Sequence, residues 1–159
     1  MWKTLHTACV SNTRPPGMSL RDFINEGLML CQYLSAHHSI EETYFFPLLA
    51  RKMPEFRKHP PAATAAATKE GKEGESEADA KAAHLLKQHE RIHEGMDIFE
   101  AYLKGCRSGE TELDLRVMKQ KMDTWGDVLF QHLDDEVRCL GAENMRKYWN
   151  LQEVRSFPI

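Results

Sequence analysis

Apolar residues recur at helical spacing along three long stretches of this chain, and that periodicity excludes most folds before any single residue is weighed. The first stretch carries Phe23, Leu30, Leu34, Phe45 and Leu48, and the second Leu86, Ile92, Met96, Phe99 and Leu103. The third carries Leu115, Met118, Met122, Trp125, Leu129 and Leu140. Each set lines one face of a helix, and no strand-like alternation competes with it. The spacing predicts helices over about 19–53, 77–105 and 112–140. Ser19, with Asp22 three residues on, reads as a capped start for the first. Pro47 falls inside that helix and removes one backbone hydrogen bond, so a kink is expected near it, and Pro54 ends it. Ser108-Gly109 breaks the chain before the third helix, and Gly141 stops that helix. The residues before Pro15-Pro16-Gly17 make a short first helix, and residues 143–149 a short last one. Long amphipathic helices joined this way pack most simply as an all-α, up-down four-helix bundle with a short or atypical first helix.

The 159 residues are read as a single domain, long enough to bury a core without staples. Residues 54–75 break the pattern. Pro60-Pro61, an Ala/Thr tract and the run Lys69 to Glu75 hold almost no large apolar side chains, so a solvated linker is expected there. A net charge of −3 and a pI near 6.2 argue against a nucleic-acid or membrane-surface partner, which would want a basic face. Residues 1–14 lack the apolar run of a signal peptide, and no segment reaches the ~18 apolar residues of a membrane span. Cys9, Cys31, Cys106 and Cys139 stand singly, with no Cys-x-x-Cys pair. Reduced thiols and a cytoplasmic location are the expectation.

Eight histidines are more than a chain of this size needs. Each long helix interrupts its apolar stripe with ionisable residues four apart. The first gives His37/Glu41 and His38/Glu42, the second His89/His93, and the third His132/Glu136. Residues at i and i+4 lie one turn above each other, with Cβ atoms about 5–6 Å apart, so each pair can reach one metal or bridge two. A single such pair is most often a solvated ion pair or a core histidine bonded to a carbonyl. Three pairs, each continuous with an apolar stripe, are different, because burying so many ionisable groups is costly unless a cation compensates them. Their heights also agree. His37 lies about 27 Å above Ser19, His89 about 24 Å above Gly105 and His132 about 30 Å above Glu112, at 1.5 Å per residue.

Imidazoles and carboxylates without thiolates suit iron, and also zinc, copper or nickel. Ferritin-like di-iron bundles use two Glu-x-x-His motifs, and only Glu90/His93 has that spacing here, so that class is disfavoured. His37-x-x-x-Glu41-Glu42 followed by Phe45-Phe46-Pro47 resembles the His-x-x-x-Glu-Glu…Phe-Pro signature of hemerythrin and the wider hemerythrin-like (HHE) cation-binding family. Gln88-His89-x-x-x-His93-x-Gly95-Met96 and His132-x-x-x-Glu136 are similar to that family's third and fourth helices, in order. The resemblance covers about residues 19–140. It implies two non-haem iron ions, with His37, His89, His93 and His132 as terminal imidazole ligands and Glu41 and Glu136 as bridging carboxylates. Helical periodicity alone leaves His37/Glu41 and His38/Glu42 open. The family's spacing to Phe-Pro selects the first pair and makes His38 and Glu42 supporting or surface residues. The family takes one more histidine from its first helix, for which His6 is the candidate. His6 is only about 12 Å of helix from Arg14, half the height of the other pairs, although an extended connection could make up the difference. Without it, one iron keeps an extra open position. His59 in the linker and His84, which points away from the His89/His93 stripe, are expected to face solvent.

The function expected from the resemblance is binding of dioxygen or another small diatomic ligand, as a carrier, sensor or iron-handling protein. Two alternatives differ in class: a di-iron oxidase or oxygenase acting on a small molecule, and a structural or sensing bundle holding zinc or one metal ion. Phe45, Leu86, Met96, Met122, Trp125 and Leu129 could wall a dry ligand pocket, but residues of this kind at this spacing are core first. No acid or base residue separate from the ligands marks the chain as an enzyme, and the fold does not decide it.

Overall fold

Ser19 does start a helix: its Oγ accepts the Asp22 backbone N–H at 3.1 Å, satisfying a donor that the first turn would leave unpaired. The computed structural model describes residues 1–56 and 77–157. Its helices are α1 (Trp2–Ser11), α2 (Leu20–Ile40), α3 (Phe46–Leu49), α4 (Glu77–Ser108), α5 (Leu115–Leu140), α6 (Ala142–Tyr148) and α7 (Leu151–Arg155), and no strand occurs among the described residues. Most of the linker, with His59, lies outside the described residues. Its first three residues, Pro54–Phe56, instead form a 3-10 turn whose Phe56 is buried, so the apolar pattern runs further than expected.

Several boundaries differ from the sequence reading for local reasons. α4 runs through Gly105 to Ser108, and Gly109, at φ +84°, is where the backbone takes the left-handed turn that glycine tolerates. α5 begins at Leu115 because Asp114 caps it, its carboxylate accepting the Arg116 N–H at 2.7 Å. Gly141 ends α5 in extended rather than left-handed geometry. Leu140 is 41% exposed at that exit and leaves the stripe to which its spacing assigned it. The helix expected at 143–149 is α6. The short α7 was not anticipated; an Asn150/Glu153 capping box holds it.

The kink expected at Pro47 takes a definite form. Residues Glu41–Phe45 form a π-helical turn, in which the Phe46 N–H reaches back five residues to the Glu41 carbonyl. Pro47 has no N–H to donate and its ring crowds the carbonyl four residues earlier, so the backbone widens just ahead of it. The turn holds Glu41 and Glu42.

Pairwise contacts fix an up-down arrangement. A Cβ on Gly27 would meet Leu103, Ser35 lies against Met96, and Glu42 meets His89, so α2 and α4 run antiparallel. Asp114 meets Tyr102, Trp125 meets Gly95 and His132 meets His89, so α4 and α5 do likewise. α1 closes the ring between α2 and α5, with Trp2 edge-on to Trp125 and Phe130 and His6 beside Asp123. The central core contains Phe23, Ile92, Phe99, Leu103, Met118, Met122 and Trp125. A second apolar cluster closes the far end, where Phe46, Leu49, Met53, Phe56 and Leu85 pack with Trp149. No disulfide forms among the described residues, and burial pushes Cys9 up to about 11 and Cys31 up to about 12, so both stay protonated at neutral pH. No described helix is long and apolar enough to cross a membrane.

Candidate metal centre

Between the two apolar clusters, α2 with its π turn, α4 and α5 direct histidines and carboxylates at one another. His38, Glu41, His89 and His132, all buried, bring donor atoms within 4.8 Å of one another, and so do His37, Glu41 and Glu136 at the outer edge. Glu41 belongs to both groups. Its Oε1 lies 3.0 Å from His37 Nε2 and its Oε2 lies 3.6 Å from His89 Nε2, so its two oxygens face in two directions. His89 and His132 face each other Nε2 to Nε2 at 2.9 Å, and Glu136 Oε1 lies 3.3 Å from His132 Nε2.

The electrostatics follow from burial without compensation. Glu41 is pushed up to about 8, first by desolvation and then by the negative charge of Glu136. Glu136 moves the other way: burial would raise it, but its contacts with His132 and Glu41 and the nearby His37 together outweigh that and hold it low. His38 is pushed down to about 3 by burial and by the neighbouring histidines, so its ring is neutral at any physiological pH. His89 is lowered as well, by burial in the main, against the opposing pull of Glu42. Neutral imidazoles with free lone pairs are what a metal requires.

Hydrogen-bond accounting tests whether a cation fits. His38 is fully buried, and neither of its ring nitrogens has a hydrogen-bond partner; Glu41 Oε2 and Glu136 Oε1 are likewise buried and make no hydrogen bond, although Glu136 Oε1 faces His132 Nε2 at 3.3 Å. Leaving such groups unsatisfied costs on the order of 1–3 kcal/mol each. All four atoms belong to residues of the two clusters, so one or two cations there would supply the missing partners. The donors are nitrogen and oxygen only, which suits iron or zinc and fits the metal type the sequence pattern implied.

Of the seven residues singled out from sequence, five are brought together: His37, Glu41, His89, His132 and Glu136. His93 stands at the rim, 38% exposed, with Nε2 3.9 Å from Glu42 and its ring edge-on to His38 at 5.0 Å. His6 is not brought in. It pairs with Asp123 at 3.4 Å and stacks on Trp2, and Asp123 precedes His132 by nine residues, about 14 Å of helix. The shortfall in height noted in the sequence is therefore not recovered by the α1–α2 connection. His38 corrects the reading in the opposite direction: it is not a surface residue but lies at the centre of the buried group. Its signal was present, since His38 precedes Glu41 by three residues and so shares its face as His37 does. Glu42 supports the site, holding His89 Nδ1 at 2.8 Å. Gln88, which also reaches His132, stood beside His89 in the family motif, but an amide on a helix is ordinary and carried no sign of a role. His84 is half exposed, as expected, but pairs with Asp135 at 3.5 Å. Met96, Met122, Trp125 and Leu129 are buried in the core, whereas Phe45 is only partly buried and packs in the far-end cluster. The side chain of Leu86 is not described.

The family model of the Hemerythrin HHE cation binding domain matches residues 4–138, which spans all four bundle helices and both donor clusters. No curated protein and no solved structure gives a significant match. By that match and by the helical scaffold that carries its His/Glu cluster, the chain belongs to the hemerythrin HHE cation-binding domain family.

Proposed function

We propose that this protein holds two non-haem iron ions and uses them to bind dioxygen or another small diatomic ligand. The observation that carries this reading is Glu41, whose two oxygens are divided between two donor groups in the manner of a carboxylate that bridges two cations. His38, His89 and His132 would serve the inner position, and His37 and Glu136 the outer one. His93, next to His38 at the rim, is the further imidazole that the family pattern adds. Bound ferrous ions would supply the electrons and the open coordination position that a diatomic ligand needs. The chain's own residues do the rest. Glu42 orients His89 through its Nδ1, and Phe46, 5.3 Å from the His89 ring, begins the apolar cluster that closes the site at one end. Met96, Met122 and Trp125 belong to the core at the other end and keep bulk water out.

The test is metal analysis of protein reconstituted anaerobically, followed by the optical spectrum on admission of oxygen. About two irons per chain and a new, reversible visible band support the reading. Stoichiometric zinc without iron affinity would refute it in favour of a structural bundle. Two irons with oxygen consumed irreversibly would point to a di-iron oxidase.

A further inference from the structure

We propose that Gln88 is a positioning residue that fixes the tautomer and ring orientation of His132, and that Asp135 in turn fixes Gln88. The proposal rests on His132 being a metal ligand, as argued above, but its geometry is independent of any bound ion. Gln88 is buried on α4, one residue before His89, and its amide makes three contacts. Its Nε2 lies 2.9 Å from Asp135 Oδ2 and 3.0 Å from His84 Nε2, and its Oε1 lies 3.3 Å from His132 Nδ1.

Chemistry removes the ambiguity in this chain of contacts. A carboxylate only accepts hydrogen bonds, so the group turned toward Asp135 must be the amide NH2. The reverse orientation would set two acceptors against each other at the 2.9 Å separation. With the NH2 committed to Asp135 and His84, the amide oxygen faces His132 and needs a donor from it. His132 must therefore carry a proton on Nδ1, so that its other nitrogen, Nε2, is the one turned to His89 and Glu136, where acceptor atoms converge and a cation would take its lone pair. Asp135 itself is held by Arg138, at 3.3 Å, on the wall of a cleft of about 320 Å³ between α4, α5 and α6. A largely buried imidazole thus has its tautomer set by a carboxylate that opens on the surface, through one amide. His89 receives the same service directly from Glu42. Outer partners of this kind typically contribute about 10–100-fold to metal affinity.

Two readouts test the proposal. Nitrogen-15 NMR of histidine in the metal-free protein reports which ring nitrogen of His132 is protonated, and chelator competition with Zn2+ reports affinity. Wild type should show His132 protonated on Nδ1. Gln88→Leu, similar in volume but without an amide, should move the proton wholly or partly to Nε2 and lower affinity by about 10–100-fold at unchanged helicity. Asp135→Asn, on a residue nearer the surface, lets the facing amide adopt either orientation and should produce a mixture of His132 tautomers even if Gln88→Leu folds poorly. A His132 Nδ1 without a proton in wild type, or an unchanged tautomer in the variants, would overturn it. If the tautomer shifts as stated but neither protein binds metal, the metal reading fails and the positioning role stands.

Discussion

Binding a divalent cation near neutral pH should release about one proton, and that proton should come from Glu41. In the metal-free protein Glu41 is raised from 4.5 to about 8, so it holds a proton across the window between those values that the unfolded chain has lost. The sign follows directly. Within that window the folded state binds more protons than the unfolded state, so the contribution of Glu41 to metal-free stability falls as pH rises toward 8. A cation that needs the carboxylate must displace the same proton, so affinity should rise about tenfold per pH unit below about 8 and level off above it. His38, depressed to about 3, and His89, lowered as well, add little to this count. Titration calorimetry with Zn2+ in buffers of different ionisation enthalpy measures the release. The expected values are about one proton at pH 6.5, about half at pH 8 and close to none at pH 9.5. Glu41→Gln should eliminate the release as well as weaken binding. Tight binding with no proton release at pH 6.5, or affinity that falls as pH rises, would refute the reasoning.

Three further outcomes follow from the same geometry. Glu41→Ala should abolish binding of the second ion, whereas Glu42→Ala should cost about 10–100-fold, because Glu42 supports His89 through its Nδ1; metal-to-protein ratios after dialysis compare the two. His6→Ala should leave metal content unchanged and His38→Ala should lower it, since only His38 lies in the buried donor group; elemental analysis decides. Gly95→Ala should destabilise the fold by about 1–3 kcal/mol, because the new Cβ would lie 2.4 Å from Trp125 Cβ, which cannot swing aside without parting α4 and α5; an unchanged thermal midpoint would contradict this.

The three long helices were legible because their apolar residues follow one period for about five to seven turns, and packing then had few solutions. The height of the site was legible for the same reason, since rise per residue is constant. What periodicity could not decide was orientation within a turn. His37 and His38 both border the apolar stripe, and the family spacing favours the first, yet the backbone buries the second and leaves His37 half exposed. The direction a helix face takes near a π turn depends on a hydrogen-bond shift that no residue pattern announces, although Pro47 marked the place. α7 and the Trp149 cluster were missed because short polar helices have no period to read; they exist through capping and tertiary packing. The role of Gln88 was invisible for a plainer reason: the two partners that define it, His132 and Asp135, are 44 and 47 residues away.

The π turn also separates two alignments that a continuous helix would lock together. Upstream of it, the angular phase of α2 places the imidazoles; downstream, a different phase places Phe46 and Leu49 in the far-end cluster. Forcing the same five residues, Glu41–Phe45, into ordinary helix would rotate everything beyond by about 100°. His37 and His38 would stay where they are, while Phe46 and Leu49 would swing off their partners. The cap over the end of the bundle and the ligand-bearing turn below it are thus two independently adjustable halves of one rod, joined by a clutch a single residue deep.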